Sequence, residues 1–218
     1  MLTIYGVYQS RASRVYWTAL ELGLEFESVP VLQGWRVPEP TAADAPVNTQ
    51  SADFLAIHPN GHIPSIVDDG LAIDESLAIT LYLARKHGGP LSAQTVTEEG
   101  EILSWSFWGA TEVEPHTVKV VLTYDNGLEA TDGGRETITV ARRMLRRPLK
   151  RLNEHLGKQD YLVGDRFTVA DLNVVEIIRY VLSETDFMAD NPHILAWVDR
   201  CHDRPAFREM MARRKAEG

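Results

Sequence analysis

The sequence predicts two domains of different class, a mixed α/β first part and an all-helical second part. Three observations carry this. Short strand-like runs and helical spacing alternate only up to about residue 86. Gly88-Gly89-Pro90 then breaks the chain where neither period continues. Beyond that point only helical spacing recurs, over 95–124, 135–157, 169–183, 191–202 and 205–215. The expected domains are therefore 1–86 and 91–218.

The elements follow in order. Leu2-Thr3-Ile4-Tyr5 reads as a strand that breaks at Gly6. Residues 10–22 read as a helix, with Ala12, Val15, Trp17, Ala19, Leu20 and Leu22 as apolar positions and Gly23 as its stop. Residues 26–32 read as a second strand. Gly34, Pro38, Pro40 and Pro46 punctuate a long irregular loop over 33–48, a length usually functional or disordered. A short helix over 52–57 and a Pro59-Asn60-Gly61 turn lead to a strand over 63–67. Asp68-Asp69-Gly70 is a tight turn and Leu71-Ala72-Ile73 the return strand, which makes a hairpin. Asp74 then caps a helix on which Leu77, Leu81 and Ala84 share a face. The order is strand-helix-strand, then helix-hairpin-helix.

Composition bounds the function. The 218 residues suffice for two small cores, and 44% hydrophobic with 24% charged residues is ordinary for a globular chain. The longest apolar stretch, 78–84, is far short of the about 20 residues a bilayer span needs. The chain begins directly in a strand, without a signal-type apolar core. Cys201 alone cannot build an internal disulfide framework and suits a reducing compartment. A net charge of −9 argues against a dedicated nucleic-acid binder. A cytoplasmic protein, without membrane or nucleic-acid partners, is expected.

Three local motifs carry chemistry. Ser10-Arg11-Ala12-Ser13-Arg14 opens the first helix. A serine there caps exposed amides, or it serves a ligand at the same helix end. A thiolate so placed would receive a hydroxyl hydrogen bond and feel the positive end of the helix dipole. A free thiol near pKa 8.5 is only a few per cent ionised at neutral pH, and lowering it by about two units takes ~2.7 kcal/mol. A hydrogen bond to a charged group supplies roughly 1.5–3 kcal/mol and the dipole about 0.3–1 kcal/mol, so one serine suffices. His62-Ile63-Pro64 precedes a strand. It is either a plain edge proline or a cis proline that turns the Ile63 backbone outward to pair with a peptide-like ligand. Asp74-Glu75-Ser76 opens the next helix. It is a good cap, and it also offers a clamp for a free amino-acid end, with Ser76 and nearby amides on the carboxylate and Glu75 facing the ammonium.

Together these describe a ligand with a thiol, a peptide-like middle and an amino-acid end. The sequence resembles the cytosolic glutathione S-transferase family, of the bacterial type with serine at the thiolate position. The resemblance rests on the Ser10 helix start, on Asn60-Gly61-His62-Ile63-Pro64, and on Glu75-Ser76 followed by Leu77-Ala78-Ile79-Thr80-Leu81-Tyr82-Leu83. In the second half, 161–171 resembles the family's folding signature, with a capping box from Thr168 to Asp171. The resemblance implies a thioredoxin-like N-terminal domain with a cis Pro64, an all-helical C-terminal domain, glutathione as co-substrate and a homodimer. It puts Ser10 at the catalytic position, with Ser13 as the alternative, and His62, Ile63, Pro64, Glu75 and Ser76 at the glutathione-binding positions. It marks Tyr8, Trp35 and Trp108 as second-substrate walls and Glu112 as a residue that could reach glutathione from the partner subunit.

Other signals weigh less. His58 and His62 are separated by a turn rather than a helix, so no metal site is expected. Cys201-His202 sit side by side on a helix and point apart. The run Arg142, Arg143, Arg146, Arg147, Lys150 and Arg151 reads as a solvated face or subunit contact, and Pro148 is expected to kink that helix. The functional expectation is a detoxification-type transferase that activates the glutathione thiolate against an apolar electrophile. The alternatives are a glutathione-dependent peroxidase or isomerase, and a non-catalytic binding protein on the same fold.

Overall fold

The computed structural model describes residues 1–217. The chain divides into two compact units: Met1–Gly89 together with the C-terminal stretch from Arg204, and Pro90–Asp203.

The first unit is built on a four-stranded mixed sheet of order β2-β1-β3-β4. Its strands are β1 (Leu2–Tyr5), β2 (Phe26–Val29), β3 (Ser65–Asp68) and β4 (Leu71–Asp74). β1 pairs parallel with β2 and antiparallel with β3, and β3 pairs antiparallel with β4. The β3–β4 connection is a two-residue turn in which Asp69 (φ 50°) and Gly70 (φ 86°) both lie at positive φ, the requirement of a type I′ hairpin. Leu2 and Ile4 of β1 and Ile66 of β3 enter the core. Helices α1 (Ala12–Glu21), α2 (Ala52–Ile57) and α3 (Ser76–His87) complete the sequence of elements, and α1 and α3 pack on each other and on the sheet.

Several local expectations change. The helix expected over 10–22 is Ala12–Glu21, and the strand expected over 63–67 is Ser65–Asp68, which leaves Ser10, Ile63 and Pro64 in the turns before them. β2 ends at Val29 because Pro30 lacks the amide a continuing strand would donate. Asp74 does not cap α3: it pairs with Ser65 as the last residue of β4, and Glu75 takes the cap position. The buried face of α3 is Ser76, Ile79, Thr80, Leu83 and Ala84, whereas Leu77 and Leu81 flank it half-buried. The chain's last helix, α10 (Pro205–Ala216), belongs with the first unit rather than the second: it packs on α1 through a Trp17–Phe207 edge contact of 4.8 Å and an Arg204–Glu21 ion pair.

The 33–48 segment is ordered by its own neck. Leu32 and Asn48 form an isolated parallel bridge. The buried Asn48 amide donates to the Pro40 and Pro46 carbonyls at 2.8 and 2.9 Å, and its oxygen accepts from Gln50 N at 2.8 Å. One asparagine side chain thus does locally what a ladder would do, as asparagine favours in loops.

The second unit contains α4 (Val96–Trp108), α5 (Glu114–Asp125), α6 (Asp132–Leu156), α7 (Val169–Ile178), α8 (Thr185–Ala189) and α9 (Pro192–His202). All ten residues of α7 are buried, so it forms the centre. Each of its large aliphatic side chains contributes about 1.5–3 kcal/mol on burial. The stretch expected as one helix over 95–124 is two helices joined by a π turn, Gly109–Val113. Pro115 lies in the first turn of α5 and has no amide to donate, so the helical ladder changes register just before it. α6 runs on through Pro148.

Candidate glutathione site

The strand register brings the three chemical motifs to one end of the sheet. Tyr5, the last residue of β1, pairs with Ser65, the first of β3, which pairs with Asp74, the last of β4. The segments just beyond these residues are Gly6 to Ser10, His62 to Pro64, and Glu75 to Ser76, so all three leave the sheet at the carboxyl end of β1. That end of an α/β sheet is where ligands bind as a rule.

Gly6 starts the turn towards α1. Its φ of 148° suits glycine, and a Cβ there would meet Ala12 Cβ at 2.8 Å, Ile63 Cβ at 3.5 Å and Pro64 Cα at 3.8 Å. The first motif therefore abuts the second at this glycine. The Gly6 carbonyl accepts from the buried Tyr16 hydroxyl at 3.0 Å, which also shares a 2.7 Å bond with Ser28 Oγ. Burial raises the Tyr16 phenol well above its ordinary value, so it remains a neutral donor.

Ser10 sits half-buried just before α1. Its hydroxyl donates to the Val7 carbonyl at 2.7 Å and its oxygen accepts from Ala12 N at 3.0 Å. It caps an amide of the helix start and stands beside the others. Ser13 lies one turn on and is fully buried. Of the two serines, only Ser10 keeps part of its surface exposed.

The Ile63-Pro64 peptide is cis, as the family resemblance implied. Ile63 precedes Ser65, the first paired residue of β3, so its backbone is outside the ladder. The His62 carbonyl accepts from Ser65 Oγ at 3.0 Å, while the His62 side chain is exposed. Asn60 Nδ2 donates to Asp74 at 2.9 Å and ties this loop to the end of β4.

Glu75 is exposed at φ 67°, ψ 108°, a conformation costing a non-glycine residue about 1–3 kcal/mol. Such a conformation persists where its surroundings impose it, and functional sites are where it concentrates. Next to it, Ser76 is buried at the first position of α3 and accepts from Arg14 Nη1 at 3.0 Å. Its own hydroxyl hydrogen remains able to serve a carboxylate at the α3 N-terminus, where the backbone amides and dipole favour an anion. Arg14 is only 1% exposed. It joins the first motif to the third, and the sequence reading assigned it no role. The signal was present as a charge amid Val15, Tyr16 and Trp17 on the buried side of α1.

Comparison with known proteins settles the family. Residues 4–91 match the glutathione S-transferase N-terminal domain, and residues 114–205 the glutathione S-transferase C-terminal domain. Glutathione S-transferase F13 of Arabidopsis thaliana is 32% identical over 166 residues, covering 71% of this chain and 74% of that one. The chain belongs to the glutathione S-transferase family. Glutathione S-transferase F10 of the same plant is 29% identical and covers 98% of this chain and 97% of its own length. The crystal structure of glutathione transferase F7 from Populus trichocarpa matches with a TM-score of 0.83 at 26% identity, over 98% of this chain and 99% of that one. The protein is thus an enzyme, a glutathione transferase with glutathione as its co-substrate. The first unit of this transferase is the thioredoxin-like half, and the second unit is helical.

The residues of the transferase expected around the second substrate have diverse surroundings. Tyr8 is buried and stacks on Tyr16 with ring centroids 3.8 Å apart. Trp35 is 76% exposed on the 33–48 loop, with the Arg36 guanidinium 5.0 Å from its ring. Trp108 is buried in the second unit, edge-on to Trp105 and beneath Arg151. Glu112 is exposed on the π turn. His58 is buried against Tyr5 and Phe54, and burial holds its pKa below the ordinary value, while His62 faces solvent. Among the described residues no group of three or more His, Cys, Asp or Glu side chains could hold a metal ion. Among them, too, no helix is long and apolar enough to cross a membrane.

Proposed function

We propose that this transferase activates glutathione through Ser10 and holds it through Ser76, Glu75 and the backbone of Ile63, for attack on a small apolar electrophile. The observation that carries the reading is the convergence of these segments at the carboxyl end of β1. Glutathione would lie with its sulfur at the start of α1, its peptide groups along Ile63 beside His62 and Pro64, and its α-carboxylate and α-ammonium at the start of α3. To serve the sulfur, the Ser10 hydroxyl rotates away from the Val7 carbonyl. It exchanges a neutral acceptor for a charged one, and a charge-assisted bond is roughly twice as strong. The thiolate then forms a carbon–sulfur bond as nucleophile, either displacing a leaving group that departs with the bonding pair or adding to a polarised double bond that takes up a proton from solvent. Tyr8, Trp35 and Trp108 are proposed contacts of the electrophile, and Glu112 a proposed contact of glutathione held by the partner subunit.

A homodimer is part of the proposal. Val96, Leu103 and Phe107 of α4 are exposed, and Leu103 and Phe107 are neighbours at i, i+4 spacing. A cytoplasmic location is supported by the one cysteine, buried and not in a disulfide.

The test is Ser10→Ala, followed by thiolate absorbance of bound glutathione against pH. Loss of the hydroxyl should raise the bound thiol pKa by about one to two units and cut neutral-pH activity roughly ten- to a hundredfold, with recovery at high pH. Glutathione affinity should change little. If Ser13→Ala moves the titration and Ser10→Ala does not, the assignment of Ser10 is wrong.

A further inference from the structure

The turn that carries Ser10 is held from the far end of the chain. The backbone amides of Tyr8 and Gln9 donate to the two oxygens of one carboxylate, Glu217 Oε1 and Oε2, each at 2.9 Å. The Tyr8 carbonyl accepts from Arg214, and the Tyr8 hydroxyl accepts from Arg213 Nη1 at 3.3 Å. The Tyr8 ring lies on Tyr16. Every polar group of Tyr8 is therefore satisfied from the last turn of α10 or its first following residue. That turn is itself fixed, because the start of α10 is anchored on α1 by Phe207 and Arg204.

We propose that Glu217, supported by Arg213 and Arg214, is a positioning residue: it latches the 7–10 turn in the conformation that activates the thiol. This rests on the assignment of the glutathione sulfur to that turn. Ser10 is set by Val7, through both its amide and its hydroxyl, and Val7 is followed directly by the two latched amides. A carboxylate holding consecutive amides fixes the backbone on either side of them. The charge of Glu217 alone would act the other way, since a nearby anion disfavours a thiolate. The sign of the effect thus separates positioning from electrostatics.

Two readouts test it, on the full chain, with Glu217→Ala, Glu217→Gln and Ser10→Ala beside the wild type. Hydrogen exchange without glutathione reads the latch itself: Glu217→Ala should accelerate exchange of the Tyr8 and Gln9 amides, and Glu217→Gln, which keeps one acceptor oxygen, should do so less. Titration of bound glutathione reads the consequence. In Glu217→Ala the thiol midpoint should rise by about half a unit, close to a threefold loss of thiolate below the midpoint, with Glu217→Gln in between. Glu217 is exposed, so the variants should fold. Unchanged exchange, or a midpoint that stays or falls, overturns the latch. A midpoint unmoved by Ser10→Ala but raised by Glu217→Ala refutes the serine assignment and leaves the latch standing, acting through the turn's amides.

Discussion

Asp171 offers a quantitative test of the second unit. Its carboxylate is fully buried and accepts from Leu162 N at 2.8 Å, Trp197 Nε1 at 2.9 Å, Thr168 N at 2.9 Å and Thr168 Oγ1 at 3.0 Å. Asp171→Asn keeps one acceptor oxygen and turns an NH2 group towards the Thr168 amide. A buried donor left unpaired costs about 1–3 kcal/mol, so the variant should lose about 2–4 kcal/mol at pH 7. The loss should also depend on pH. Burial pushes the Asp171 carboxyl up from 3.8 to about 6, against the opposing pull of its hydrogen bonds. The folded state then holds a proton that the unfolded chain has released throughout that window, so wild-type stability from this group falls as pH rises. The gap between wild type and Asp171→Asn should therefore widen from pH 7 to pH 5, by on the order of 1 kcal/mol. Urea unfolding of both proteins at the two pH values measures it. A gap that narrows as pH falls would show that the hydrogen bonds outweigh desolvation and that the argument has the wrong sign.

Two further outcomes follow from the geometry. Glu75→Gly should relieve the positive-φ cost and stabilise the protein by about 1 kcal/mol after glycine's own entropy, while calorimetry should show glutathione binding weakened about tenfold or more by loss of the ammonium contact; unaltered binding would remove Glu75 from the clamp. Light scattering at micromolar concentration should find the wild type dimeric and Phe107→Asp monomeric, since the substitution puts a charge on an apolar side chain that is 61% exposed in the single chain; a monomeric wild type would sink the homodimer.

Much of the first unit was legible because its determinants are local. The Asp69-Gly70 turn and the Ile63-Pro64 step are each written in a few adjacent residues, and the start of α1 falls within two residues of the expected Ser10. What escaped the sequence depends on partners. Asp74 looked like a cap, and strand pairing with Ser65 claimed it instead. Leu77, Leu81 and Ala84 suggest one face of α3 by hydropathy, but the buried side also takes the polar Ser76 and Thr80, which hydropathy does not mark. The bond from Arg14 to Ser76 joins residues 62 apart, so no local pattern assigns Arg14 its role. The contact of Glu217 with Tyr8 joins residues 209 apart, and no periodicity encodes it. Helix α8 is five residues long, too short for a helical period to show.

The site lies where regular structure stops, and this shapes how the transferase can vary. Two of its positions, Gly6 and Glu75, sit at positive φ, where an ordinary residue is strained. Glycine permits the first, whereas the second is not favoured by its residue and has to be imposed by neighbours. Tyr16 holds the Gly6 carbonyl, and Arg14 holds Ser76 beside Glu75. Both of these side chains come from α1, the helix whose N-terminus Ser10 also opens. One helix thus supplies the amides that would face the thiolate and fixes the backbone of the two turns around it. Substitutions on the buried side of α1 should therefore act on glutathione binding and on stability together.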